Sequence, residues 1–224
     1  MPELPEVETI RLGLQRKIIG LTLRKIQILS PKSFIGKKEE VENERVIGIF
    51  RRAKILGINL SSDKTLLFHL KMSGQLIWIK AQNSKRKTQN YNSKVKTEEK
   101  LIGGHPTPDM VGKMPNAHTR VIFDFSNGSK LYFNDQRKFG WIKIVQSSIL
   151  RQSSGQALKV QSEGILGKLG LEPLDKSFTW QILKQNLLKH KSMPIKVAIM
   201  DQSVVAGIGN IYANEACFDA GLDP

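Results

Sequence analysis

Cysteine occurs once in the 224 residues, at Cys217. That excludes an intrachain disulfide and any multi-cysteine zinc site, and it suits a reducing, cytoplasmic compartment. Long apolar runs are missing as well. None approaches the roughly 18–20 residues that a spanning helix needs, and the N-terminus lacks the layout of a signal peptide, so no membrane partner is expected. Acidic residues are scarce: 20 Asp and Glu face 35 Lys and Arg, leaving a net charge of +15. With a pI near 9.9, a polyanionic partner is expected and a neutral small-molecule substrate is disfavoured. The length lies between one large domain and two modest ones, and two are expected.

What is present starts at the first residue. In Met1-Pro2-Glu3-Leu4-Pro5-Glu6-Val7-Glu8-Thr9 a proline stands behind an excisable methionine and beside a carboxylate. An N-terminal proline is a secondary amine that can attack an aldehyde-like sugar carbon and form an iminium, as Schiff-base amines do. A terminal amine titrates at about 7.7–8.0, so a neutral fraction exists near neutrality without desolvation. Glu3 is then a general acid within reach. Met-Pro alone is a common beginning, and Pro5 also suits the first turn of an ordinary helix. The whole string, continued by Ile10-Arg11-Leu12-Gly13-Leu14, resembles the start of formamidopyrimidine-DNA glycosylases, bacterial enzymes that excise oxidised purines. The resemblance implies that Pro2 is the nucleophile and Glu3 a catalytic acid.

Along the chain, Val7, Ile10, Leu14 and Ile18 give a helical spacing over Glu6–Ile19, closed by Gly20. Short apolar runs at Leu21–Leu29, Arg45–Leu60, Thr65–Lys71 and Gln75–Lys80 predict strands of an antiparallel sandwich or barrel. Between Ala81 and Asn116 the pattern gives way to lysines, glycines and prolines, which read as a basic inserted loop, partly disordered. Strands resume at Thr119–Ser126, Ser129–Asn134 and Lys138–Val145, with a hairpin signal at Asn127-Gly128. Gln146–Ser162 is polar and ambiguous. Leu169-Gly170-Leu171-Glu172-Pro173-Leu174 reads as a connector, giving domains over residues 1–165 and 166–224. Beyond it, Ser177 is a plausible N-cap for a helix through Leu188, Pro194 opens a second to about Met200, and Asn210–Ala220 is a third, closed by Gly221. Asp201-Gln202-Ser203-Val204-Val205-Ala206-Gly207-Ile208-Gly209-Asn210-Ile211-Tyr212-Ala213-Asn214-Glu215 resembles the helix–two-turns–helix DNA-binding element of the same glycosylases.

After base loss, a Schiff-base route needs proton-transfer groups near the amine and a cation near the departing phosphate. Arg51-Arg52-Ala53-Lys54 supplies the cation, and the resemblance assigns Lys54 to phosphate contact and β-elimination. Phe68-His69-Leu70-Lys71-Met72-Ser73-Gly74 resembles the segment whose methionine, here Met72, fills the gap left by a flipped nucleotide. Asn134-Asp135-Gln136-Arg137-Lys138-Phe139-Gly140 resembles the loop whose arginine reads the orphaned cytosine and whose phenylalanine wedges the stack, here Arg137 and Phe139. The family loop usually has proline in place of Gln136, so a less rigid loop is expected. The resemblance places His118, Lys191 and Asn210 at DNA-contacting positions, and His69 is a weaker phosphate candidate. Structural alternatives stay open: Lys54 could be a solvent-facing strand residue, and Met72 and Phe139 could belong to a core.

The family pattern continues past Pro224 with a helical segment, a lesion-covering loop and a four-cysteine zinc hairpin carrying a further arginine. This chain has no Cys-x-x-Cys pair, so no zinc site and no cofactor are expected within it, and it reads either as a fragment or as a minimal version. The expected fold is α+β: an antiparallel β-sandwich with a helix bearing the N-terminus, then a helix–two-turns–helix domain. The expected function is a DNA glycosylase and abasic-site lyase acting as a monomer on damaged double-stranded DNA. A catalytically weak or silent DNA-binding protein on the same scaffold, and more remotely an RNA-binding module, are the alternatives.

Overall fold

Helix α1 (Leu4–Ile18) is the first element of the computed structural model, which describes residues 1–80, 99–104, 112–147 and 166–223. Its stripe of Leu4, Val7, Ile10, Leu14 and Ile18 is buried, as the spacing predicts. The Glu6 carboxylate accepts the Glu3 N–H at 2.8 Å, satisfying one of the donors that a helix start leaves free. At the other end Gly20 takes a left-handed φ of 85° and stops the helix.

Among the described residues ten strands follow: β1 (Leu23–Ile28), β2 (Phe34–Ile35), β3 (Val46–Arg52), β4 (Ile55–Leu60), β5 (Lys64–His69), β6 (Gly74–Ile79), β7 (Lys100–Gly104), β8 (Thr119–Phe125), β9 (Lys130–Asp135) and β10 (Trp141–Gln146). They form two five-stranded sheets, ordered β1-β8-β9-β6-β7 and β2-β10-β5-β4-β3. All pairings are antiparallel except the two-residue β2, which runs parallel to β10. The sheets and α1 enclose one core containing Val7, Ile10, Leu14, Phe68, Phe123 and Phe133. The second sheet is also covered on its outer face, where Ile55 and Leu67 pack with Leu166 and Leu169. This double burial explains why β4 and β5 read as near-continuous apolar runs and do not alternate.

Among the described residues that follow are three helices, α2 (Trp180–Leu188), α3 (Ile195–Met200) and α4 (Asn210–Asp219). Thr179, not Ser177, is the N-cap of α2, its side chain accepting the Ile182 N–H at 3.4 Å. Ser177 instead donates to Asp175 in the preceding turn, which removes it from capping.

Two further expectations need correction. Arg45–Leu60 is not a single run but the β3–β4 hairpin, turning at Ala53 with a left-handed φ of 52°. No glycine or asparagine marks that turn, so sequence pattern passes over it. Within the expected inserted loop, Lys100–Gly104 is the edge strand β7, paired with β6 from Gln75↔Gly104 to Ile79↔Lys100. Its glycines are a packing requirement rather than a loop signal, because α1 crosses directly over the strand: a Cβ on Gly103 would overlap the Ile10 side chain. Of that loop, residues 81–98 and 105–111 lie outside the described residues, as does most of Gln146–Ser162. Gly103→Val should cost about 1–3 kcal/mol by forcing α1 off the sheet, read as a lowered urea midpoint at unchanged slope.

Candidate active site

The first residues of the chain are seated on the turn before α4. Pro2 is buried and Glu3 is 1% exposed. The Glu3 carboxylate accepts the Gly209 N–H at 2.5 Å and the Ile211 N–H at 2.9 Å, so an anion occupies the N-terminus of α4. The Leu4 N–H donates to the Gly207 carbonyl at 3.2 Å. Side chains at positions 207 and 209 would prevent this seat: a Cβ on Gly209 would stand 2.6 Å from the Glu3 carboxyl, and one on Gly207 2.5 Å from Leu4. Gln202 holds the turn from below, its Nε2 donating to the Met200 and Ile208 carbonyls and its Oε1 accepting the Gly207 N–H. The Asp201 carboxyl is held below its usual range by the Ser203 N–H and hydroxyl, which fix the entry to the turn. The glycine-rich string thus shapes a cradle for the N-terminus.

Lys54 follows the β3–β4 turn and is buried, 7% exposed. Burial lowers its ammonium below the usual lysine range, the Glu3 charge pulls it back up, and Lys71 lowers it further. His69, at the end of β5, is pushed down to about 4 by burial first and then by the Lys71 and Lys54 charges. Its Nδ1 accepts the Lys71 N–H at 3.0 Å, and the ring lies 5.5 Å from that of Trp141. Near neutrality the imidazole is uncharged and its Nδ1 is an acceptor. Glu3, Lys54, His69 and Lys71 therefore form one electrostatic cluster, drawn from the N-cap of α1, the β3–β4 turn, the end of β5 and the β5–β6 connection.

Beside it project two turns at one end of the first sheet. Met72 is 45% exposed in the β5–β6 turn, and Phe139 is 57% exposed in the β9–β10 turn. The Arg137 guanidinium lies over the Phe139 ring, 5.2 Å from its centre. These apolar side chains are displayed, not packed in a core. Lys71 and Lys138, which flank them, have left-handed φ values of 52° and 58°, a conformation that costs non-glycine residues about 1–3 kcal/mol and gathers at functional sites.

Two family models match the sequence: the formamidopyrimidine-DNA glycosylase N-terminal domain over residues 1–142 and the formamidopyrimidine-DNA glycosylase H2TH domain over residues 169–224. The chain is 35% identical over 229 residues to the formamidopyrimidine-DNA glycosylase of Pelotomaculum thermopropionicum, covering 100% of itself and 68% of that relative. It is 33% identical to that of Ligilactobacillus salivarius over 228 residues, with the same shares covered. Among solved structures, MutM (Fpg) of Thermus thermophilus superposes with a TM-score of 0.68 at 31% identity, covering 100% of this chain and 66% of that one. A Lactococcus lactis Fpg mutant in complex with Fapy-dG containing DNA gives 0.71 at 25% identity, covering 100% and 68%. The chain belongs to the formamidopyrimidine-DNA glycosylase family.

Of the residues singled out from sequence for this glycosylase-family chain, the structure gathers Pro2, Glu3, Lys54 and His69 at the N-terminal cradle and its neighbouring turns. Met72, Arg137 and Phe139 stand together beside them. Asn210 is exposed at the start of α4, adjacent to the N–H donors that hold Glu3. His118 is half-buried at the entry to β8. Lys191 stands apart, exposed in the α2–α3 connection near Trp180 and His190. Among the described residues no group of three His, Cys, Asp or Glu side chains is placed to hold a metal ion.

Sequence reasoning missed the support beneath Lys54. Glu172 accepts the Ala53 N–H at 2.6 Å and pairs with Arg51 at 2.7 Å and Arg52 at 3.2 Å. Arg51 also meets Glu8 of α1 at 2.8 Å, and Arg52 donates to the Leu169 and Gly170 carbonyls. A lone glutamate in a connector carries no signal of this. Glu172→Ala would leave the Ala53 N–H buried without its acceptor and Arg51 with Glu8 as its remaining carboxylate partner, an expected loss of about 1–3 kcal/mol in urea unfolding. A second expectation follows from His69. Its folded value of about 4 lies below the ordinary 6.5, so the unfolded chain takes up a proton that the folded chain does not. Stability should fall as the pH drops through 6.5 toward 4, by at most about 3 kcal/mol. His69→Gln should flatten that part of the stability profile relative to the parent chain.

Proposed function

We propose that the chain is a DNA glycosylase and abasic-site lyase that removes oxidised purines through an iminium on Pro2. The single observation that carries this reading is the seating of the N-terminus: Glu3, beside the terminal amine, is held by two backbone N–H groups of the α4 turn within the electrostatic field of Lys54.

With Met1 removed, the neutral Pro2 nitrogen attacks the sugar C1′. The bond to the base breaks with its electron pair, and the departing base takes a proton. The Glu3 carboxylate relays the proton of the Pro2 nitrogen to O4′, the C1′–O4′ bond breaks as the sugar ring opens, and the Pro2 nitrogen and C1′ become an iminium. Loss of a C2′ proton then expels the 3′ phosphate, which is β-elimination. Lys54 stabilises that phosphate, and burial, which lowers its ammonium below the usual lysine range, loosens its proton. His69, uncharged at neutral pH, offers hydrogen bonds to the backbone without adding charge.

A target base inside a duplex cannot reach Pro2, so the nucleotide must leave the stack, at a cost of a few kcal/mol. Met72 and Phe139 fill the vacated space, and Arg137 donates to the acceptors of the orphaned cytosine. His118, Lys191 and Asn210 hold phosphates, Asn210 with the help of the α4 N-terminus. The net charge of +15 supplies the sequence-independent part of binding. The domain limits of 1–165 and 166–224 and a monomeric state complete this reading.

Borohydride should trap a covalent adduct between the protein and abasic DNA, and an N-terminal extension that buries Pro2 in a peptide bond should abolish it. Trapping that survives the extension would reject Pro2 as the nucleophile. Lys191→Ala should weaken binding to all duplexes alike and lower the salt slope by about one unit. Arg137→Ala should weaken preference for cytosine opposite the lesion by about 1–3 kcal/mol. Equal loss of that preference in both variants would contradict the division of labour between them.

A further inference from the structure

The Met72 turn joins β5 to β6 and the Arg137–Phe139 turn joins β9 to β10, each passing from one sheet to the other, yet both are tied to one buried residue that sequence reasoning passed over. Asp135 is 0% exposed and is engaged on four sides. Its Oδ1 accepts the Ser73 hydroxyl at 2.5 Å, and its Oδ2 accepts the Gly140 N–H at 2.7 Å. Its own N–H donates to the His118 carbonyl at 2.9 Å, and its carbonyl accepts Arg120 Nε at 2.8 Å. Ser73 closes the circuit by accepting the Arg137 N–H at 3.0 Å. One carboxylate and one hydroxyl thus reach the residue after Met72, the backbone of Arg137 and the residue after Phe139.

Buried bonds to a charged acceptor are shorter and stronger than neutral ones, and removing one partner leaves the other unsatisfied without water. Both turns also carry a strained non-glycine residue, Lys71 or Lys138, and such strain persists only where the surroundings over-determine the backbone. Gln136 occupies the place where a more rigid residue would stiffen the second turn, and the Ser73 and Asp135 bonds supply that stiffness from outside it.

From this geometry we infer that Ser73 and Asp135 are positioning residues that couple the two turns into a single probe, so that Met72 cannot seat in a duplex gap unless Arg137 is correctly placed against the opposite base. The inference rests on the proposed roles of Met72 and Arg137 and adds that they act as one body. Selectivity for the opposite base then belongs to the hydrogen-bond circuit as much as to Arg137.

The test is binding of duplexes carrying a tetrahydrofuran abasic site opposite cytosine or adenine, which needs no catalysis. The ratio of the two affinities is measured for the parent chain, Arg137→Ala, Ser73→Ala and Asp135→Asn. Partial unfolding lowers both affinities alike and leaves the ratio unmoved. Arg137→Ala should lower the ratio, and Ser73→Ala and Asp135→Asn should each lower it by at least about threefold, although neither removes a group that touches DNA. If Arg137→Ala lowers the ratio while Ser73→Ala and Asp135→Asn both keep the parent value, the coupling is overturned and the role of Arg137 stands. If Arg137→Ala itself keeps the parent ratio, the role of Arg137 is overturned and the coupling with it.

Discussion

The contact on which the site depends is the carboxylate of Glu3 at the start of α4. It joins residues 206 positions apart, and the surrounding sequence follows from it. An anion at a helix N-terminus is favourable only if the backbone donors can approach it, hence the two glycines of the α4 turn. Those glycines have no side chains with which to hold their own conformation, hence Gln202 and Asp201 packed beneath them. The sandwich positions α1, and α1 carries the N-terminus to the cradle, so the seat of Glu3 needs both halves of the chain.

A second constraint operates on the other side of the cluster. Lys54 is buried, and a buried cation is tolerable only where its charge is offset or its proton is loosely held. Both occur: Glu3 offsets the charge and burial loosens the proton. The turn that presents Lys54 is anchored to α1 through Arg51 and Glu8, and to the connector through Glu172. The acid and the cation are therefore referenced to the same helix.

What could be read in the sequence and what could not divide along physical lines. The stripe of α1, the strands flanking Asn127-Gly128 and the helices near the C-terminus announce themselves, because each repeats a spacing that burial imposes. The helix–two-turns–helix string was legible through resemblance, since close backbone approach restricts a whole run of residues at once, but its role as the seat of Glu3 was not. The β3–β4 turn was not, because Ala53 adopts a left-handed conformation that alanine seldom takes. Strand β7 was hidden because the glycines that admit α1 look like a loop. Asp135 and Glu172 were invisible for a different reason: their partners are backbone groups and side chains far away in the chain, and a single carboxylate has no period. Candidate residues that meet the outside world could be named from motifs, whereas the residues that hold them in place could be found only by tracing hydrogen bonds.

The stacking of Arg137 on Phe139 bears on how copies of this protein behave in one another's company. Met72 and Phe139, both exposed on turns linked through Ser73 and Arg137, are the kind of apolar side chains through which proteins stick together. Here the ring lies beneath a permanent cation, so pressing it against a neighbour would strip water from the guanidinium with no acceptor to replace it. A polyanion suffers no such penalty, because it brings acceptors of its own. The same pair of side chains therefore disfavours a purely apolar neighbour and suits a surface that carries acceptors.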